Sequence, residues 1–218
     1  MNKIYIFSGL GVDERAFRYV DFGDFQVQFV DWIEPDSNEE ISTYARRISE
    51  PFQDENPILI GLSFGGILAI EISKIIPVQK IILISSAKTK FELSKGFRLS
   101  IKLNFHKFMP KFFLQKSNRI TDWFFGAKTQ KEKDLLKEIV KDTEPGFFFW
   151  AVNEIGNWEN TELPKNTVHI HGAKDKMIPI KNVKADFTIK KGEHFMVLNK
   201  SKEISEILQS ELAKCRKD

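Results

Sequence analysis

Short apolar runs separated by longer amphipathic stretches set the rhythm of this chain. Residues 4–7 (Ile-Tyr-Ile-Phe), 58–60 and the interior of 80–85 (Lys-Ile-Ile-Leu-Ile-Ser) are apolar and rich in isoleucine. Runs of that length and kind predict strands covered on both faces of a sheet. Residues 25–30 read as a further strand. Between the runs lie helical patterns: 13–19, with Asp13 as cap; 36–49, with Ser37 or Asn38 as cap and Glu39 and Glu40 in the first turn; and 66–76, with Pro77 beyond its end. The rhythm resumes with strands at 167–171 and 185–189. A terminal helix at 201–214 carries Ile204, Ile207, Leu208 and Leu212 on one face. Strands alternating with helices predict an α/β fold, with a mostly parallel central sheet and helices on both faces.

Residues 88–160 break the alternation and hold most of the chain's bulky aromatic residues. Phe97, Ile101, Phe105 and Phe108 share a helical face, yet 97–105 also alternates as a strand would. Length and the scarcity of turn residues favour helix. Residues 131–140 form a clearer amphipathic helix. The expected division is a core of residues 1–87 and 161–218 with a helical insertion at 88–160.

Composition narrows the class. A chain of 218 residues suits one domain, or one domain with an insertion. Lys and Arg number 33 against 30 Asp and Glu, a net charge of +3, so nothing global points to nucleic acid. The one cysteine, Cys215, has no partner for an intrachain disulfide and no metal-ligand spacing around it. No apolar run reaches membrane-spanning length, and the first residues lack the long apolar region and cleavage site of a signal peptide. A cytoplasmic location is the expectation.

Candidate chemistry centres on Gly61-Leu62-Ser63-Phe64-Gly65. An apolar strand precedes this stretch and a helical run follows, so the serine falls at the apex of a sharp strand–turn–helix. Glycines leave room for neighbouring elements to close in, and the helix N-terminus offers free N–H groups beside the hydroxyl. A serine so placed is a candidate nucleophile. It needs a base, and His194 lies in a glycine loop (Lys191-Gly192-Glu193-His194-Phe195), whereas His169 and His171 fall on or at the end of a strand and His106 in the insertion. The base needs an orienting acid. Asp175 sits in a turn after an apolar strand, and Asp186 is its rival within a short strand pattern.

With the serine motif, the chain order Ser63, Asp175, His194, and the segments Gly-Ala-Lys-Asp-Lys-Met-Ile-Pro and Gly-Glu-His-Phe, the chain resembles the α/β-hydrolase superfamily over nearly its whole length. The resemblance implies a Ser63–His194–Asp175 triad, an oxyanion hole from the backbone N–H groups of Leu10 and Phe64, and a cap formed by 88–160. The family's frequent histidine in the first-strand loop is replaced here by Ser8. The implied activity is hydrolysis of a carboxylic ester or thioester through an acyl-enzyme, without metal or organic cofactor. Lyase or acyltransferase chemistry on the same fold, or a non-catalytic binding role, are the alternatives. Aromatic residues of the insertion, Phe105, Trp123, Phe124 and Phe148, are candidates to line the pocket. The basic run from Lys88 to Arg119, with Glu92 as its only acid, reads either as a solvated face or as a dock for an acyl carrier protein, a coenzyme A thioester or an acidic surface.

Overall fold

A computed structural model describes residues 3–52, 56–103 and 119–216. Strands β1 (Ile4–Phe7), β2 (Val27–Phe29), β3 (Ile58–Leu62), β4 (Lys80–Ile84), β5 (Thr167–Gly172) and β6 (Phe187–Ile189) form one sheet in the order β2-β1-β3-β4-β5-β6. Every pairing is parallel, with Phe7 opposite Gly61, Leu62 opposite Ile84 and Gly172 opposite Ile189. The order reverses direction at β1, so the loops after β1 and β3 meet at the carboxyl edge, where sites form in such sheets.

The period-two alternation of side chains divides the core between the two faces. Ile4, Ile6, Ile60, Ile82, Ile84 and Ile170 pack on one side against Ile204, Leu208 and Leu212 of the terminal helix, Ser201–Cys215. Tyr5, Phe7, Leu59, Ile81 and Leu83 pack on the other against α1 (Ile41–Ser49) and α2 (Phe64–Ser73). Helix α2 is apolar nearly all round and buried along almost its whole length, as a helix enclosed on every side must be.

The expected helix at 36–49 begins later, at Ile41. Asn38 takes a left-handed φ of 57°, and the Glu39 carboxylate accepts from the Asp36 N–H and from Arg47, closing a loop where a first helical turn was expected. Strand β2 is three residues long, not six.

Between β4 and β5 lie α3 (Lys95–Lys102), α4 (Arg119–Phe125), α5 (Gln130–Asp142) and α6 (Pro145–Asn157). Of the 97–105 stretch, where two periodicities competed, 97–102 are helical, within α3; Phe105 and Phe108 lie outside the described residues. Thr129 and Glu132 cap α5 reciprocally. Its Leu135, Leu136, Ile139 and Val140 join the first core cluster, while Phe147 and Ala151 of α6 join the second. The inserted helices are therefore seated on both cores.

Candidate active site

Strand β3 ends at Leu62 and α2 begins at Phe64, so a single residue makes the whole turn. That residue, Ser63, has φ 51° and ψ −116°, a conformation that L-residues rarely adopt and that costs about 1–3 kcal/mol. Its N–H donates to the Ile84 carbonyl (2.9 Å), and its own carbonyl accepts from the Ser86 hydroxyl (2.6 Å). Glycines around it serve close approach. A Cβ on Gly61 would lie 2.3 Å from Gly66 Cα, one on Gly65 2.3 Å from the Phe7 carbonyl oxygen, and one on Gly66 2.3 Å from Ser86 Oγ. The elbow is thus pressed against β1 and β4 at distances that only glycine permits.

The Ser63 hydroxyl lies 2.9 Å from Nε2 of His194, and Nδ1 of His194 lies 2.8 Å from Oδ2 of Asp175. A carboxylate only accepts, so Nδ1 carries the ring proton and Nε2 is left to accept from Ser63. His194 is 3% exposed and Asp175 5%. The other carboxylate oxygen of Asp175 accepts from the Met177 and Ile178 N–H groups (2.9 and 2.8 Å). Burial opposes the charge of Asp175, but His194, through charge and hydrogen bond, and the Ile178 N–H outweigh it and hold the carboxyl below its usual value. The rival Asp186 is engaged elsewhere, accepting from the His169 N–H.

The loop after β1 lies against the serine. A Cβ on Gly9 would come within 3.3 Å of Ser63 Cβ, so Leu10 follows directly on a residue in contact with the elbow. Phe64 opens α2, where the first N–H groups have no partner within the helix. Its ring is held by the inserted helix α6: Phe147 lies 6.1 Å away edge-on, Trp150 5.9 Å away, and Trp32 5.5 Å away from the core side.

The aromatic candidates from sequence fall differently. Phe105 lies outside the described residues. Trp123 is 56% exposed and Phe124 40%, stacked edge-on against each other. Phe148 lies beside Gly11, one residue beyond Leu10. Phe125, not singled out by sequence, stands beside the imidazole: its ring lies edge-on 6.1 Å from His194, and its carbonyl accepts from the Phe195 N–H. Ser86, Phe125, Phe147 and Trp150 were all missed. Signals existed: the Ser85-Ser86 pair ends an apolar strand, and Phe147 and Trp150 are three apart on one helix face.

A cleft of about 440 Å³ opens beside the β1 loop, between Gly11, Val12 and Trp32 of the core and Ile139, Glu144 and Phe147 of the insertion. Ser63 is not among its walls. Arg15 ties its edge together, bonding Asp13 (2.5 Å) and Asp142 (2.7 Å). Of the basic run, Lys90, Arg98 and Lys102 converge on Glu159, and Lys107, Lys111 and Lys116 lie outside the described residues. Among the described residues no cluster of side chains could hold a metal ion, and no helix is long and apolar enough to cross a membrane.

No protein-family model matches this chain, and no curated protein matches it in sequence. Solved structures do. A lipase-esterase related protein from Clostridium acetobutylicum superposes with a TM-score of 0.72 at 16% identity, covering 95% of this chain and 93% of its own. An esterase from Thermogutta terrifontis gives 0.70 at 12% identity, covering 99% and 90%. A bromoperoxidase from Bacillus anthracis gives 0.61 at 16% identity, covering 98% and 92%. With its parallel sheet, its one-residue elbow after β3 and helices on both faces, this chain has the α/β-hydrolase fold.

Proposed function

We propose that the protein is a serine hydrolase of carboxylic esters, with Ser63 as nucleophile, His194 as general base and acid, and Asp175 as orienting acid. The observation that carries this reading is the unbroken relay from Ser63 Oγ through His194 to Asp175, at 2.9 and 2.8 Å, with the imidazole and carboxylate buried. In this reading His194 Nε2 takes the Ser63 proton as Oγ attacks the acyl carbonyl. Asp175 keeps the ring in the right tautomer and stabilises its charged form. The Leu10 and Phe64 N–H groups bind the oxyanion, a contribution worth roughly 10²–10³ in rate per donor. His194 then protonates the leaving group and activates water to release the acyl-enzyme.

Residues 88–160 act as a cap in this proposal. Its α6 supplies the rings that wall Phe64. A fold alone does not choose among chemistries, as the names of the esterase and the bromoperoxidase illustrate. A thioester carried by coenzyme A or a carrier protein is the finer proposal. It draws on the basic run, of which Lys90, Arg98 and Lys102 are already paired with Glu159.

A fluorophosphonate probe and short p-nitrophenyl esters test the reading together. Stoichiometric labelling at Ser63, turnover of the esters, and loss of both in Ser63→Ala are expected. A folded protein that neither labels nor turns over would overturn it. Labelling without turnover would move the chemistry to acyl transfer or lyase action.

A further inference from the structure

Behind Asp175 the hydrogen bonds continue into two histidines that the proposed reaction leaves unused. His169 and His171 stand two apart on β5, hence on one face of the sheet, and both are fully buried. Nε2 of His171 lies 2.8 Å from the Ile178 carbonyl oxygen and 3.6 Å from Asp175 Oδ2; its Nδ1 lies 3.1 Å from Nε2 of His169. A carbonyl only accepts, so the His171 proton is on Nε2, and its bare Nδ1 accepts from the Nε2–H of His169.

We propose that His171, held as the uncharged Nε2–H tautomer by His169, is a positioning residue that fixes the 175–178 turn so that Asp175 faces His194. Its effect on turnover rests on the triad reading above; its effect on hydrogen bonding does not.

Ile178 links the two sides of this arrangement. Its N–H donates to Asp175 Oδ1 and its carbonyl accepts from His171, so one residue is tied both to the acid and to the strand behind it. The turn's near end is held by the Asp175 N–H to the Gly172 carbonyl (3.2 Å). Without the ring of His171, the turn keeps one hydrogen bond to β5, at its near end, and the far end is held by the packing of Ile178 in the core. A neutral imidazole suits the place because it offers a donor at one edge and an acceptor at the other in a rigid plane. A charged ring there would compete with His194 for the same Oδ2. Burial, the largest influence on both rings, lowers His171 and lowers His169 to about 3; the charges of His171 and Lys88 push His169 the same way and His194 pushes His171, while Asp175 and hydrogen bonds to the Ser86 and Ile178 backbone oppose them.

The resting protein decides the matter by nitrogen-15 and proton NMR. Expected are His171 as the Nε2–H tautomer, uncharged across neutral pH, and a low-field proton on Nδ1 of His194. His171→Phe is expected to shift or broaden that low-field resonance. It is also expected to lower kcat on an ester roughly ten- to hundredfold at unchanged KM. His171→Gln, whose amide N–H can still donate to the Ile178 carbonyl, is expected to restore the resonance and most of kcat. A wild-type His171 that carries its proton on Nδ1, or titrates near neutrality, overturns the proposal without any variant, whether or not His171→Phe folds. So does a His171→Phe protein that melts earlier yet keeps both the resonance and kcat, for then the ring only fills the core. Should the wild type turn over no ester, the NMR arms still decide the role of His171 while the proposed function falls.

Discussion

Ser63 holds its strained backbone because three contacts leave it no other: the Ile84 carbonyl on its N–H, the Ser86 hydroxyl on its carbonyl, and β1 pressed against Gly65. Gly65→Ala would set a methyl 2.3 Å from one backbone oxygen and 2.4 Å from the next, and neither can swing aside as a side chain would. The expected cost exceeds the roughly 1–3 kcal/mol of ordinary overpacking, read as a lowered Tm, with loss of probe labelling at Ser63. Gly96 is the contrast. A Cβ there meets only Ser94 Oγ at 3.8 Å, and Gly96→Ala on exposed α3 is expected to raise stability by up to about 1 kcal/mol. The importance of the glycines was legible in the sequence, because their spacing around a serine between strand and helix leaves few explanations. The role of Ser86 was not, because a serine closing an apolar strand looks the same whether it faces solvent or a neighbouring turn.

Among the elements, the contact of α3 with α6 depends on Gly156. A Cβ there would lie 2.4 Å from the Cβ and Cγ2 of Ile101, a branched side chain with no freedom to retreat. Gly156→Ala is expected to lower the Tm by the equivalent of about 1–3 kcal/mol. It is expected to leave probe labelling of Ser63 intact, since α6 keeps Phe147 and Trp150 against Phe64 one to three turns away. Retained stability in a thermal melt would refute this packing. The alternation of β1 through β4 with its helices could be read directly, because wholly apolar runs of strand length have one economical use. The insertion was only partly readable. Residues 97–105 satisfy two periods at once, and the choice of Trp123 and Phe124 followed aromatic content, whereas the structure turns Phe125 toward His194 and leaves its two predecessors at the surface.

For the molecule as a whole, the buried imidazoles set the response to acid. His169 has an ordinary value of 6.5 when unfolded and about 3 when folded, a lowered base. The unfolded chain therefore binds the proton first. The stability this residue brings is complete above about pH 6.5 and is lost progressively as pH falls toward 3. By pH 5 its share of the loss is about 2 kcal/mol, and His171 acts in the same direction. Glu92 and Glu154, raised chiefly by burial, act in the opposite direction over their own range. Urea unfolding at pH 7 and pH 5 is expected to show the wild type weaker at pH 5. In His169→Phe that difference should shrink by about 2 kcal/mol, whatever its absolute stability. An unchanged difference would mean that His169 takes up its proton as readily in the folded as in the unfolded state.

Lys176 follows the proposed triad acid in sequence, yet it belongs to the inserted helices as much as to the core. Its ammonium donates to the Trp123 carbonyl at 2.8 Å and lies over that indole ring, while Glu193, the neighbour of His194, faces Lys128 at 3.1 Å and presses on Gly126. The seam between the two parts of the chain therefore runs through the residues flanking Asp175 and His194. Grafting a foreign segment between β4 and β5 to change what the protein accepts is consequently a three-part transplant. Positions 176 and 193 have to be rewritten to suit the incoming helix, or the graft will pull on the very loops that it was meant to leave untouched.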